Sequence, residues 1–165
     1  MAYAPDSKLI NAGAGILKKD ACIVLVKTEW NADVVDELEK GAVTELIKHG
    51  VKKMITIIVP GAVEIPYAIK NYWDNAGKKK KPDAFIALGC VIKGGTPHFD
   101  YVCRMVADGV LHLNLSLPVP TVFGVLTVDN EQQAKERIGG IHGHKGEEAA
   151  TTAIKMILLK QSYKK

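Results

Sequence analysis

Four apolar runs constrain this chain more than any other feature. ACIVLVK (21–27), MITIIV (54–59), AFIALGCVI (84–92) and VPTVFGVLT (119–127) are each nearly free of polar residues. A strand with one face in water alternates apolar and polar side chains. A solid run of this length is the mark of a strand buried on both faces. Between the runs lie segments of a different period. In WNADVVDELEKGAVTELIKHG (30–50), Val34, Val35, Leu38, Ala42, Val43, Leu46 and Ile47 recur at helical spacing. Asn31 stands where it can cap that helix and Gly50 where it can end it.

The same alternation continues. PGAVEIPYAIKNYWDNAG leads into a second helix, with Gly77 past its end. A third helix opens near residue 98, NEQQAKER (130–137) is a short one, and EEAATTAIKMILLKQ (147–161) is the last. KKKKPD and GGIHGHKG read as loops. The order β-α-β-α-β-α-β-α-α predicts a parallel sheet with helices on both faces. The expected architecture is a three-layer α/β/α sandwich of flavodoxin-like build with a four-stranded parallel sheet. Residues 1–20 lack a strong period and contain Gly13 and Gly15. They read as an N-terminal arm, or as an added edge strand, before a single domain at 21–165.

Composition bounds the function. The chain has 165 residues and is 47% hydrophobic, which suits one domain with a full-sized core. The formal charge of +4 gathers in Lys78–Lys81 and in Lys160, Lys164 and Lys165. No aromatic-basic stripe accompanies these lysines, so they read as solvated loops and tails and no nucleic-acid partner is expected. No apolar run reaches a membrane span and no signal segment opens the chain, so the expected location is the cytoplasm, with no membrane partner. Cys22, Cys90 and Cys103 have no metal-ligand spacing, and the His142–His144 pair lacks a partner cluster; no metal site is expected.

In open α/β sheets, ligands bind beyond the carboxyl ends of the strands. Four unusual clusters stand at those ends: Thr28-Glu29-Trp30-Asn31, Pro60-Gly61-Ala62-Val63-Glu64, Cys90 to His98, and Thr127-Val128-Asp129-Asn130. Each has two readings. Gly94-Gly95-Thr96 is an ordinary strand-to-helix turn, or a place where backbone amides and a helix start meet an anion. His98 is a polar surface residue or a general acid/base. Trp30 packs locally or offers a face to a flat heterocycle. Glu64 interacts with a helix start or accepts hydrogen bonds from ligand hydroxyls. Phe123, inside the fourth strand, reads as core. Arg137 and Lys145 flank the glycine-rich loop; loop cations are mostly solvated, yet a guanidinium is the preferred partner of a phosphate. The residues alone describe an anion pocket, an aromatic platform and one proton-transfer histidine. They name no substrate.

At these same residues the chain resembles the 6,7-dimethyl-8-ribityllumazine synthase family. The resemblance is carried by Trp30-Asn31, VPGAVEIP (59–66), LGCVIKGGTPHFDYV (88–102), VPTVFGVLT and ERIGGIHGHKGEEAA. It implies a transferase of riboflavin biosynthesis that joins 5-amino-6-ribitylaminouracil to 3,4-dihydroxy-2-butanone 4-phosphate and needs no cofactor. It places Trp30, with Asn31 beside it, against the pyrimidine. Ala62, Val63 and Glu64 are implied to hold the ribityl chain, and Cys90, Val91 and Ile92 the pyrimidine edge through backbone groups. Gly95, Thr96 and Arg137 are implied at the phosphate and His98 as proton shuttle. The family builds its sites between subunits of a pentamer, so Phe123, Arg137 and Lys145 are implied to come from the adjacent copy. Riboflavin synthase is implied as a partner enzyme. The stretch between Arg137 and Lys145 is short, which leaves a shell of 60 subunits open beside the pentamer. The chain departs from many relatives in having Trp30 for Phe, Val63 for Phe, Lys93 for Arg and Gly95 for Ala. A non-catalytic flavin binder would be expected to lose the phosphate residues or His98, and a flavodoxin-like electron carrier would want a hydroxyl-rich loop after the first strand, where this chain has KTEWNAD.

Overall fold

The computed structural model describes Leu17 and residues 20–163. Four strands form one parallel sheet: β1 (Cys22–Thr28), β2 (Lys53–Val59), β3 (Ala84–Ile92) and β4 (Thr121–Val128), in the order β2-β1-β3-β4. The crossovers are α1 (Ala32–Lys48), α2 (Ile65–Asn75) and α3 (His98–Ser116). After β4 come α4 (Glu131–Lys135), the short strands β5 (Ile138–Gly140) and β6 (Gly143–His144), and α5 (Lys145–Ser162). The expected three-layer parallel architecture is what the chain adopts.

The solid runs sort into two cores by the two-residue period of a strand. Ile23, Leu25, Ile86 and Leu88 face α1 and α5, where Val35, Leu38, Leu46 and Ile154 meet them. Val24, Val26, Phe85 and Ala87 face α2 and α3, against Ile65, Ile69, Val106 and Val110. The central strands β1 and β3 are buried on both sides, which is why their sequences tolerate almost no polar residue. Gly146 sets the distance between α5 and α1. A Cβ there would lie 2.0 Å from the Leu38 carbonyl oxygen, so the first turn of α5 rests directly on α1 backbone.

Three expectations need correction. MITIIV, expected as a strand of a sheet covered on both faces, is an edge strand with one strand neighbour, and Thr56 and Ile58 are exposed. GGIHGHKG is not only a loop. It folds back as the β5–β6 antiparallel pair, with Gly139 at φ 112° and Gly143 at φ 72° making the left-handed turns that side chains resist. The last helix begins at Lys145 rather than at 147. The expected arm at 1–20 lies outside the described residues apart from Leu17, which is buried in the α1/α5 core, and Asp20, which is exposed. No helix among the described residues is long and apolar enough to cross a membrane.

Candidate active site

The carboxyl ends of β1, β2 and β3 and the start of α3 surround a cavity of about 480 Å³ with mostly apolar walls. Trp30 and Asn31 reach it from the end of β1. Ala62, Val63 and Glu64 reach it from the turn after β2. Cys90, Val91 and Ile92 come from the end of β3, and Thr96 and His98 from the turn into α3. The volume is in the ordinary range for a small-molecule site.

The turns are fastened to one another. The ladder between β1 and β2 runs on past the strands: Glu29 N–H donates to Val59 O at 2.8 Å and Trp30 N–H to Pro60 O at 3.2 Å. Thr28 Oγ1 donates to Trp30 O at 3.1 Å. Asn31 does not cap α1 with its side chain as the sequence suggested. Its backbone is left-handed (φ 58°, ψ 42°), and Nδ2 donates instead to Cys90 O at 2.7 Å. The Trp30 ring is 69% exposed and lies over Gly61, close enough that a Cβ on Gly61 would meet it at 3.0 Å. Glu64 Oε2 accepts from Gly61 N–H at 3.0 Å, which leaves its other carboxylate oxygen free of that contact.

Gly94 and Gly95 are exposed, and neither has a positive φ. A Cβ on either would meet nothing among the described residues within 4 Å. Of the Gly94-Gly95-Thr96 turn, Gly94 and Thr96 border the cavity; Gly95, which the resemblance implies at the phosphate, does not. His98 is exposed at the first position of α3. Burial pushes the Cys90 thiol up to about 11, so at neutral pH it is a neutral, inert group.

Phe123, Arg137 and Lys145 stand apart from this cavity. They line a second, smaller one of about 100 Å³ along β4, the strand whose outer edge no other described strand pairs. Phe123 is half-buried rather than core, packed on the α2/α3 side. Arg137 Nη1 donates to Gln133 O at 2.8 Å, and Lys145 Nζ is paired with Glu148 Oε1 at 2.6 Å. Beyond His98, sequence reasoning missed the α3 wall of the main cavity. Tyr101, Val102 and Met105 follow His98 at helical i+3, i+4 and i+7 spacing, and all four line it. That spacing was readable, but it is also the spacing of an ordinary core stripe. Phe99 was missed as well, whereas Thr28 and Gly94 line the cavity as members of the strand-end clusters already named from the sequence.

Residues 20–161 match the family model described as 6,7-dimethyl-8-ribityllumazine synthase. Relatives bearing that same description include a protein of Parabacteroides distasonis, 43% identical over 155 residues, which cover 93% of this chain and 88% of the relative. One from Porphyromonas gingivalis is 46% identical over 140 residues, 84% of each chain. One from Cytophaga hutchinsonii is 47% identical over 135 residues, 81% of this chain and 82% of the relative.

Proposed function

The chain belongs to the 6,7-dimethyl-8-ribityllumazine synthase family, a family of transferases in riboflavin biosynthesis, and from that premise we propose how its residues divide the reaction. The substrates are 5-amino-6-ribitylaminouracil and 3,4-dihydroxy-2-butanone 4-phosphate. The pyrimidine lies flat on Trp30, with its edge toward the β3 end at Cys90–Ile92. The ribityl chain runs to the turn at Ala62–Glu64, where the Glu64 carboxylate accepts from its hydroxyls. Cys90 acts through its backbone, since its thiol is neutral and inert.

The phosphate takes the Gly95–Thr96 turn. Nothing among the described residues requires glycine at 94 or 95, so the open backbone there is available to a group from outside. His98, one turn away at the helix start, carries protons: from the attacking amine as the imine forms, and through the elimination of phosphate, ring closure and loss of water. A positioned general acid–base contributes roughly 10²–10⁴-fold. Holding two reactants in register supplies much of the remainder.

The observation that carries the reading is the convergence of Trp30, the Ala62–Glu64 turn, the Cys90–Ile92 strand end and His98 on one cavity. The second cavity supports a site shared between copies. Phe123, Arg137 and Lys145 face along the open edge of β4, where a neighbouring chain could meet them. In this account the chain acts in the cytoplasm as a homo-oligomer, a pentamer or a shell of pentamers, and hands its product to a riboflavin synthase. Residues 21–165 serve as one domain. The test is lumazine formation from the two substrates, followed by absorbance against the uncatalysed rate. Enzyme-dependent formation supports the reading. A folded, assembled protein that gives no acceleration would overturn it.

A further inference from the structure

We propose that Asn31 is the positioning residue of the Trp30 platform: a left-handed pin that bridges two strand ends and fixes the ring over the cavity. This rests on the reading of Trp30 as the surface that receives the pyrimidine. Three observations carry it. Asn31 is the single non-glycine residue with positive φ among the described residues. Left-handed backbone is unfavourable for L-residues, and Asn is one of the few that tolerates it. Second, Asn31 occupies the cap position of α1 yet makes no side-chain cap bond. It spends its amide on Cys90 O, 59 residues away, across from the end of β1 to the end of β3. A residue type that helix starts favour has given up local capping for a cross-sheet tie.

Third, the ring itself has little to hold it. Trp30 is 69% exposed, so burial does not fix it. Its backbone is what is fixed: the N–H donates to Pro60 O and the carbonyl accepts from Thr28 Oγ1, while the side chain of the next residue, Asn31, donates to Cys90 O. The platform is thereby tied to the ends of three strands before any ligand arrives. Ordering that precedes binding does not have to be supplied by the ligand. The side chain of Asn31 acts through Trp30, and its donor is already committed.

The test uses the full chain in a Trp73→Phe background, so that Trp30 is the only tryptophan. Asn31→Gly keeps the left-handed backbone and removes the tie; Asn31→Ala removes both. Fluorescence anisotropy of Trp30 is read without ligand. The dissociation constant of the ribitylaminouracil alone is then read from quenching, and KM for each substrate from initial rates. Asn31→Gly should lower the anisotropy and weaken the ribitylaminouracil about tenfold, the worth of one hydrogen bond that strands a buried acceptor. KM for the butanone phosphate should stay within about twofold, since uniform loss of pyrimidine contact acts on the ribitylaminouracil alone. Asn31→Ala should lose more, because alanine resists positive φ. Thr28→Val cuts the neighbouring tie and should lower the anisotropy too; it serves if the Asn31 variants do not fold. Unchanged anisotropy in Asn31→Gly and Thr28→Val overturns the pin, as does lowered anisotropy with unchanged ribitylaminouracil affinity. The ligand-free arm needs no turnover, so a chain that made no lumazine would sink the functional reading and still decide the pin.

Discussion

Replacing Gly61 with Ala should separate the platform from the fold. Gly61 is extended (φ −142°, ψ 179°), a backbone any residue adopts, so alanine brings no conformational strain. The new Cβ would lie 3.0 Å and 3.1 Å from two carbons of the Trp30 ring and 3.1 Å from Glu64 Oε2. Both neighbours must give by a few tenths of an ångström. Both can, since the ring is mostly exposed and Glu64 is a flexible exposed side chain. The fold therefore loses little, and a less flexible unfolded chain offsets part of that by about 0.4–1 kcal/mol. The site loses more, because the ring is tipped off its preset plane. Stacking contributes about 0.5–1.5 kcal/mol beyond burial. Forfeiting about 1 kcal/mol of it should raise KM for the ribitylaminouracil about fivefold. Initial rates with each substrate varied in turn give the answer, beside a thermal melt. The melting temperature should stay within a few degrees of wild type and the KM for the butanone phosphate should be unchanged. An unchanged ribitylaminouracil KM would refute this prediction, and so would an equal rise in both.

Two further predictions concern the fold. Gly146→Ala pushes a Cβ to 2.0 Å from backbone at Leu38, where neither partner is a flexible tip; it should cost about 3 kcal/mol, read by denaturant unfolding, and a loss under about 0.5 kcal/mol would contradict the close α1–α5 packing. Burial raises the Cys90 thiol from 9.0 to about 11. The folded state therefore holds this proton after the unfolded chain has released it. Its contribution is present below pH 9 and is lost as pH rises toward 11. Stability should fall through that window, less steeply in Cys90→Ala. Native protein should also leave this thiol unreacted with a disulfide reagent near pH 8; prompt labelling would contradict the burial.

Much of the fold was legible because the strands that matter most are buried on both faces. A run such as AFIALGC fits little besides a central strand. Strand order was less legible: MITIIV is as apolar as its neighbours, yet the chain puts it at an edge, since a local run does not encode how many partners a strand will have. The β5–β6 hairpin was missed because strands of three and two residues are shorter than any readable period. Asn31 misled in an instructive way. Its type and place both fit a helix cap, and only the approach of Cys90 O, brought near by the pairing of β1 with β3, redirects the side chain. The α3 wall carried a visible spacing, but Tyr101 and Met105 resemble core residues until the structure leaves them exposed at the cavity.

The most direct measurement of the whole account is complementation between two inactive variants. His98→Ala damages the cavity at the ends of β1–β3, and Arg137→Ala damages the cavity along β4. If each site is built from the first cavity of one copy and the second cavity of its neighbour, co-assembly of equal amounts makes intact sites in about a quarter of positions, the random share in a head-to-tail ring. Lumazine formation in the mixed assembly should lie far above either variant alone and near that fraction of wild type. A mixed assembly no more active than the average of its two parents would contradict this.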